Sequence, residues 1–159
     1  RGMLVEAAFE YRSDRAQYRR PAHRAGVELY HARILHHRFE PHTHEAYGLG
    51  AITAGVGRFR WRGGEHLAPR ATLMLMNPED IHTGEAATAD AWGYRMVYLD
   101  EALLSALYGG PAWRFDAAVA EAVSDAKGAA QALRLGAVRQ RRYGPRHIAA
   151  LHTHRPLKR

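Results

Sequence analysis

Eleven histidines stand in this chain, and three are spaced for chemistry: His42 and His44 around Thr43, and His82 after a later turn. Residues i and i+2 of a strand face the same side. His42 and His44 therefore point together, and in a closed barrel they face inward, where His82 can meet them. Three imidazoles around an open position suit zinc, nickel or iron. Without a metal, the same three line a polar pocket and hydrogen-bond within it. A second pattern is Trp92, Tyr94, Met96 and Tyr98, alternate residues of one largely apolar stretch. Aromatic rings with polar tips stack on a small molecule and bond its hydroxyls, although a plain core uses the same residue types. Together with the inward histidines, Trp92, Tyr94, Met96 and Tyr98 describe an interior too polar to be only core, and small barrels often hold one small ligand.

Other chemistry is thin. The absence of cysteine excludes disulfides, thiolate metal sites and thiol nucleophiles. Ser13, Ser105 and Ser124 lack the context of an activated nucleophile. Glu40 and Glu45 lie near the histidines without forming a paired-carboxylate signature, and the glycines of 48–57 precede no helix that would make a phosphate loop. No residue is therefore assigned a catalytic role. Arg58, Arg60 and Arg62 form a one-face stripe, read as a solvated sheet face rather than an anion site.

The elements that must position these residues follow from the rest of the chain. At 159 residues, 47% hydrophobic and 25% charged, this is one ordinary globular domain rather than a disordered chain. The net charge of +7 is uneven. Nine basic residues and no acidic one lie between Lys127 and Arg159, so residues 1–126 carry −2. No apolar run reaches the roughly 18 residues of a membrane span. Charges scattered through the first twenty residues leave no signal-peptide core, so the expected setting is the cytoplasm.

Residues 1–32 show no clean period and read as an arm or irregular lead-in. Residues 33–99 read as strands. Arg58 to Arg62 alternate strictly, and Gly63-Gly64 signals a hairpin. Thr72 to Met76 ends at the turn signal Asn77-Pro78, and Ala91 to Leu99 is a further strand. After Leu99 the period becomes helical. Asp100 caps a short helix through Leu107, and Asp116 caps a second. The second carries apolar positions Val119, Ala122, Val123, Ala126, Ala130 and Leu133 at three- to four-residue spacing. The division is 1–32 lead-in, 33–99 barrel, 100–136 helices and 137–159 basic linker. The fold class is α+β, mainly β.

The stretches HTHEAYGLGAITAGVGRFRWRGG, LMLMNPEDIHTGE and AWGYRMVYLD resemble the N-terminal sensing domain of AraC-type transcription regulators. The resemblance implies a cupin-like jelly-roll β-barrel followed by a C-terminal helical dimerisation segment. It implies a small-molecule effector held by His42, His44, His82, Tyr94 and Met96, and residues 1–32 as an arm over it. It implies a homodimer, with Val119, Val123, Ala130 and Leu133 at the contact. DNA would be bound only through a separate C-terminal module. Residues 148–157 resemble the first turn of that module and the chain then ends, which implies that the module is absent. Three departures stand out. Arg70-Ala71-Thr72 replaces a common Pro-Gly-Asp turn, and Pro78-Glu79 replaces Pro-Gly. Gly48 and Leu49 stand where metal-dependent cupins carry a glutamate. No cofactor is required by this reading. The alternative is a metal-dependent cupin enzyme of dioxygenase or isomerase type.

Overall fold

The structure is a computed structural model that describes residues 2–109 and 114–121. The strictest alternation in the sequence forms β6 (Val56–Trp61), with Phe59 and Trp61 buried and Arg60 exposed. It returns through β7 (Gly64–Pro69), and Trp61 pairs with Gly64. The two turn residues are thus Arg62 and Gly63, at φ 49° and 77°, the conformation a two-residue hairpin needs. The turn sits one residue earlier than the Gly63-Gly64 signal suggests, because a register that keeps Phe59 and Trp61 inward pairs Gly64 as a strand residue.

β8 (Thr72–Met76) and β10 (Trp92–Asp100) lie where the sequence places them, whereas β9 (His82–Ala86) is a strand where the sequence shows only a histidine after a turn. β5 (Ala46–Ala54) lies within the strand-like stretch after His42, while β4 (Phe39–His42) is a separate short strand that contains Pro41 rather than ending before it. Contrary to the irregular lead-in suggested for 1–32, that region supplies β1 (Met3–Ala7), β2 (Arg15–Arg20) and most of β3 (Val27–Ile34). The cause is ordinary alternation with a muted inner set: Ala16, Tyr30, Ala32 and Ile34 are buried, while Gln17, Leu29, His31 and Arg33 face out.

These strands form two antiparallel sheets, β1-β2-β3-β10-β5-β8-β11 and β4-β9-β6-β7. The last strand of the large sheet, β11 (Val119–Glu121), corrects a second expectation. The start of the proposed second helix is extended, and Val119 pairs with Met74 on β8. Pairing there satisfies an edge of β8 that would otherwise be open, and a β-branched residue fits a strand. Val119 is therefore a sheet residue, while Val123, Ala130, Leu133 and the basic tail 137–159 lie outside the described residues. The first helix, α1 (Glu101–Tyr108), forms as expected and ends at Gly109 in the left-handed conformation. Asp100 precedes it without a side-chain cap bond. Among the described residues no helix is long and apolar enough to cross a membrane.

The inner faces share one core, in which Tyr30, Ile34, Ile52, Met74, Trp92, Tyr94 and Met96 meet Phe59, Trp61 and Ala68. Two carboxylates tie the corners. Asp14, 5% exposed, accepts backbone N–H groups of Leu35, His36 and His37 where β3 turns into β4. Burial alone raises its pKa, but the three donors outweigh that and hold it below the usual value. Asp80 accepts Trp61 Nε1 at 2.8 Å, Asn77 Nδ2 at 3.1 Å and Arg114 Nη2 at 2.7 Å.

Candidate functional site

The three histidines come together where the small sheet meets the loop into β5. His42, the last residue of β4, is the direct register partner of His82, the first of β9. His44 is not on that strand. It lies in the loop after it, and its carbonyl accepts the Glu79 N–H at 2.7 Å. The i, i+2 strand argument thus reaches the right cluster by the wrong route: a tied loop, not a shared strand face, aims His44. The ring centroids lie 4.4 Å apart for His42 and His82, 5.0 Å for His42 and His44, and 5.1 Å for His44 and His82. One nitrogen from each ring lies within 4.8 Å of the other two.

Hydrogen bonds orient two of the rings. His82 Nδ1 donates to the Asp80 carbonyl at 2.9 Å, and His42 Nδ1 to the Glu40 carbonyl at 2.7 Å. A carbonyl only accepts, so in each neutral ring Nε2 carries the lone pair. His82 is 4% exposed and its Nε2 is buried with no partner. Burial, and then the neighbouring His42, pushes its pKa down to about 4. A neutral imidazole with a backbone-anchored Nδ1 is the form that ligates a metal. The donor set fits a three-nitrogen ion of the zinc, nickel or iron kind, and no carboxylate joins the cluster among the described residues. Gly48, one of the two residues at the expected glutamate position, is buried against Met96, Met76 and Tyr98.

The wall beside the histidines is phenolic. Tyr98 packs 4.8 Å from His44 and 6.4 Å from Tyr30. Tyr30 lies 5.7 Å from Tyr94, and Trp92 stacks on Tyr94 at 4.2 Å. Burial raises the pKa values of Tyr30, Tyr94 and Tyr98, so all three remain hydroxyls. Tyr94 and Met96 are buried deeper in the core at 5% and 2% exposure. A Cβ at Gly50 would lie only 2.1 Å from Met96 Sδ, so this glycine makes the room for Met96. Two features escape a reading of the sequence. Tyr98, rather than Tyr94 or Met96, is the ring against the histidines. Trp92 Nε1 is buried without a partner. Alternation placed both on the inner face, but only the fold shows which polar tip is unmatched.

The two departures in the turns are also explained. Ala71 sits at φ 66° and Glu79 at φ 62°, so both positions keep a left-handed backbone without glycine.

Residues 24–154 match the AraC-like ligand binding domain. The chain belongs to that family. Similar solved structures show the cupin-like fold of the AraC-like domain. AerE from Microcystis aeruginosa is 6% identical with a TM-score of 0.59. That match covers 76% of this chain and 52% of AerE, so this chain spans about half of AerE's length. A cupin 2 conserved barrel domain protein from Salinispora arenicola is 17% identical with a TM-score of 0.51, covering 60% of this chain and 83% of that one. Another from Rhodopseudomonas palustris is 13% identical with a TM-score of 0.50, covering 62% and 71%. No curated protein sequence matches this chain.

Proposed function

We propose that this AraC-like domain is the effector-sensing and dimerisation part of a cytoplasmic transcription regulator, with a small molecule bound inside the barrel. The observation that carries the reading is the buried, unpartnered Nε2 of His82 facing two further imidazoles. A buried polar atom without a partner costs on the order of 1–3 kcal/mol, and a ligand or ion that engages it recovers that cost. Trp92 Nε1 is a second such atom and donates to an oxygen of the effector. Tyr94 and Met96 supply the apolar wall, and Met96 can re-pack around a guest because it is unbranched.

His42, His44 and His82 would hold zinc, nickel or iron, which when bound supplies a Lewis-acidic position for an oxygen-bearing effector. Val123, Ala130 and Leu133 would carry a homodimer contact beyond β11, and DNA would be bound by a separate module. The effector shifts the domain between states only by its difference in affinity for them. The rival reading, a metal-dependent dioxygenase or isomerase, shares the three histidines and differs in turnover.

The test is elemental analysis of purified protein beside His42→Ala/His82→Ala, followed by thermal-shift screening of small metabolites. About one zinc, nickel or iron per chain, lost in the variant, supports the metal-assisted site. Absence of metal, together with no stabilisation by any oxygen-bearing metabolite, would sink the reading of a sensing interior.

A further inference from the structure

The outward residues of β1, β2, β3 and β10 stand in cross-strand rows. One row runs Gln17, His31, Arg95, and the next runs Leu4, Arg19, Leu29, Val97. In a third row Arg15 is directly opposite Arg33. The only acid in these rows is Glu6, whose Oε1 accepts a hydrogen bond from Gln17 at 3.2 Å. None of Arg15, Arg19, Arg33 and Arg95 takes part in an ion pair among the described residues. Like charges directly opposite one another destabilise a sheet. Protection of an edge does not explain them, because β1 is the edge and exposes Met3, Leu4 and Val5 instead.

Between the rows lies a concavity of about 400 Å³, lined by Leu4, Leu29 and Val97 and flanked by Arg19, His31 and Arg95. Leu4 and Leu29 are 49% and 37% exposed. The sheet separates this concavity from the barrel interior, into which Tyr30 and Met96 of the same strands project.

We propose that this outer concavity binds an amphiphilic organic anion: an aliphatic body on Leu4, Leu29 and Val97, and a carboxylate between Arg19 and Arg95. The shape and lining decide against larger occupants. A helix about 10 Å across with a 5.4 Å pitch fills such a volume with roughly one turn, too little to dock a partner helix. Small-molecule sites of roughly 300–1,000 Å³ include it. Single-stranded nucleic acid needs a run of aromatic platforms, and the outward side chains here are Leu4, Gln17, Arg19, Leu29, Arg95 and Val97 with His31 as their one ring. Guanidinium groups suit a carboxylate because their planar fork matches it.

The experiment titrates the 159-residue chain with decanoate, decanol and decyltrimethylammonium, reading amide shifts by NMR and affinity by calorimetry. Decanoate is expected to shift the amides of residues 17–19, 29–31 and 95–97 and to bind more tightly than decanol, with the cation weakest. Arg19→Glu/Arg95→Glu should weaken decanoate at least about tenfold and leave decanol unchanged. Leu29→Trp, which fills the concavity and keeps both arginines, should weaken decanoate and decanol alike. The proposal is overturned if decanoate and decanol bind equally, or if the shifts map to 42–44 and 82. It is also overturned if the arginine variant instead abolishes self-association or binding of a short DNA duplex while decanoate never binds.

Discussion

Strand β10 has two faces, and they have opposite chemistry. Inward, Trp92, Tyr94, Met96 and Tyr98 join the core and the three-histidine cluster. Outward, Arg95 and Val97 join the exposed cationic and aliphatic rows. The polar groups inside are neutral because burial penalises charge: His82 is pushed down to about 4 and the phenols are pushed up. The guanidinium groups outside stand in water, where burial imposes no such penalty. A strand with a period of two thus holds a neutral polar interior a single residue away from a charged surface. The inner face recognises by shape and lone pairs, and the outer by charge.

The largest effect that tests this contrast is the pH response of metal-free protein. The value of His82 falls from 6.5 unfolded to about 4 folded. Well above 6.5 both states hold it neutral and stability is full. Between the two values the unfolded chain takes up a proton that the folded chain refuses, so stability falls as pH falls. The loss approaches about 3 kcal/mol near pH 4. Urea unfolding at pH 7 and pH 4 should show this part of the loss vanish in His82→Leu. An equal loss in both proteins removes the neutral interior from the account.

Next in size is steric. Gly50→Val puts side-chain atoms where Met96 Sδ and Met74 Cε already lie, and should cost about 2 kcal/mol by overpacking. Its outward neighbour Ala51 is exposed, and Ala51→Val should change stability by less than about 0.5 kcal/mol. Similar denaturation midpoints for the two variants would erase the distinction between the faces. Ala71→Gly and Glu79→Gly relieve a left-handed backbone and should each stabilise by about 1 kcal/mol, read as a rise in melting temperature. The smallest effect belongs to the outer face. Arg33→Glu sets a carboxylate opposite Arg15 and should add about 0.5 kcal/mol, fading in high salt.

The parts legible in the sequence are those with bulky residues on one side of an alternating strand. β6 and β10 show this, because Phe59, Trp61, Tyr94 and Met96 mark the inner face, and β8 is legible instead as a short apolar run, buried on both faces at Met74 and Leu75, that stops at Asn77-Pro78. β2 and β3 hide it behind Ala16 and Ala32, which are small enough that the exposed Leu29 outweighs them in the pattern. β11 is hidden for a different reason. An alanine- and valine-rich run suits either period, and only the open edge of β8 decides for a strand at Val119. At the candidate site, the histidines were legible by type and spacing. Their mutual aim depends on the Asp80, Glu40 and Glu79 backbone bonds, which no spacing reveals.

The Asp14 clasp has a mechanical consequence. Its carboxylate grips three successive N–H groups at 35–37, a few residues before His42. β2, which begins one residue after Asp14, is therefore coupled as a lever to the corner from which β4 carries His42. The N-terminal strands cannot swing away alone: they either drag that corner with them or surrender charge-assisted bonds. A pull on the first strands is thereby felt at the histidines.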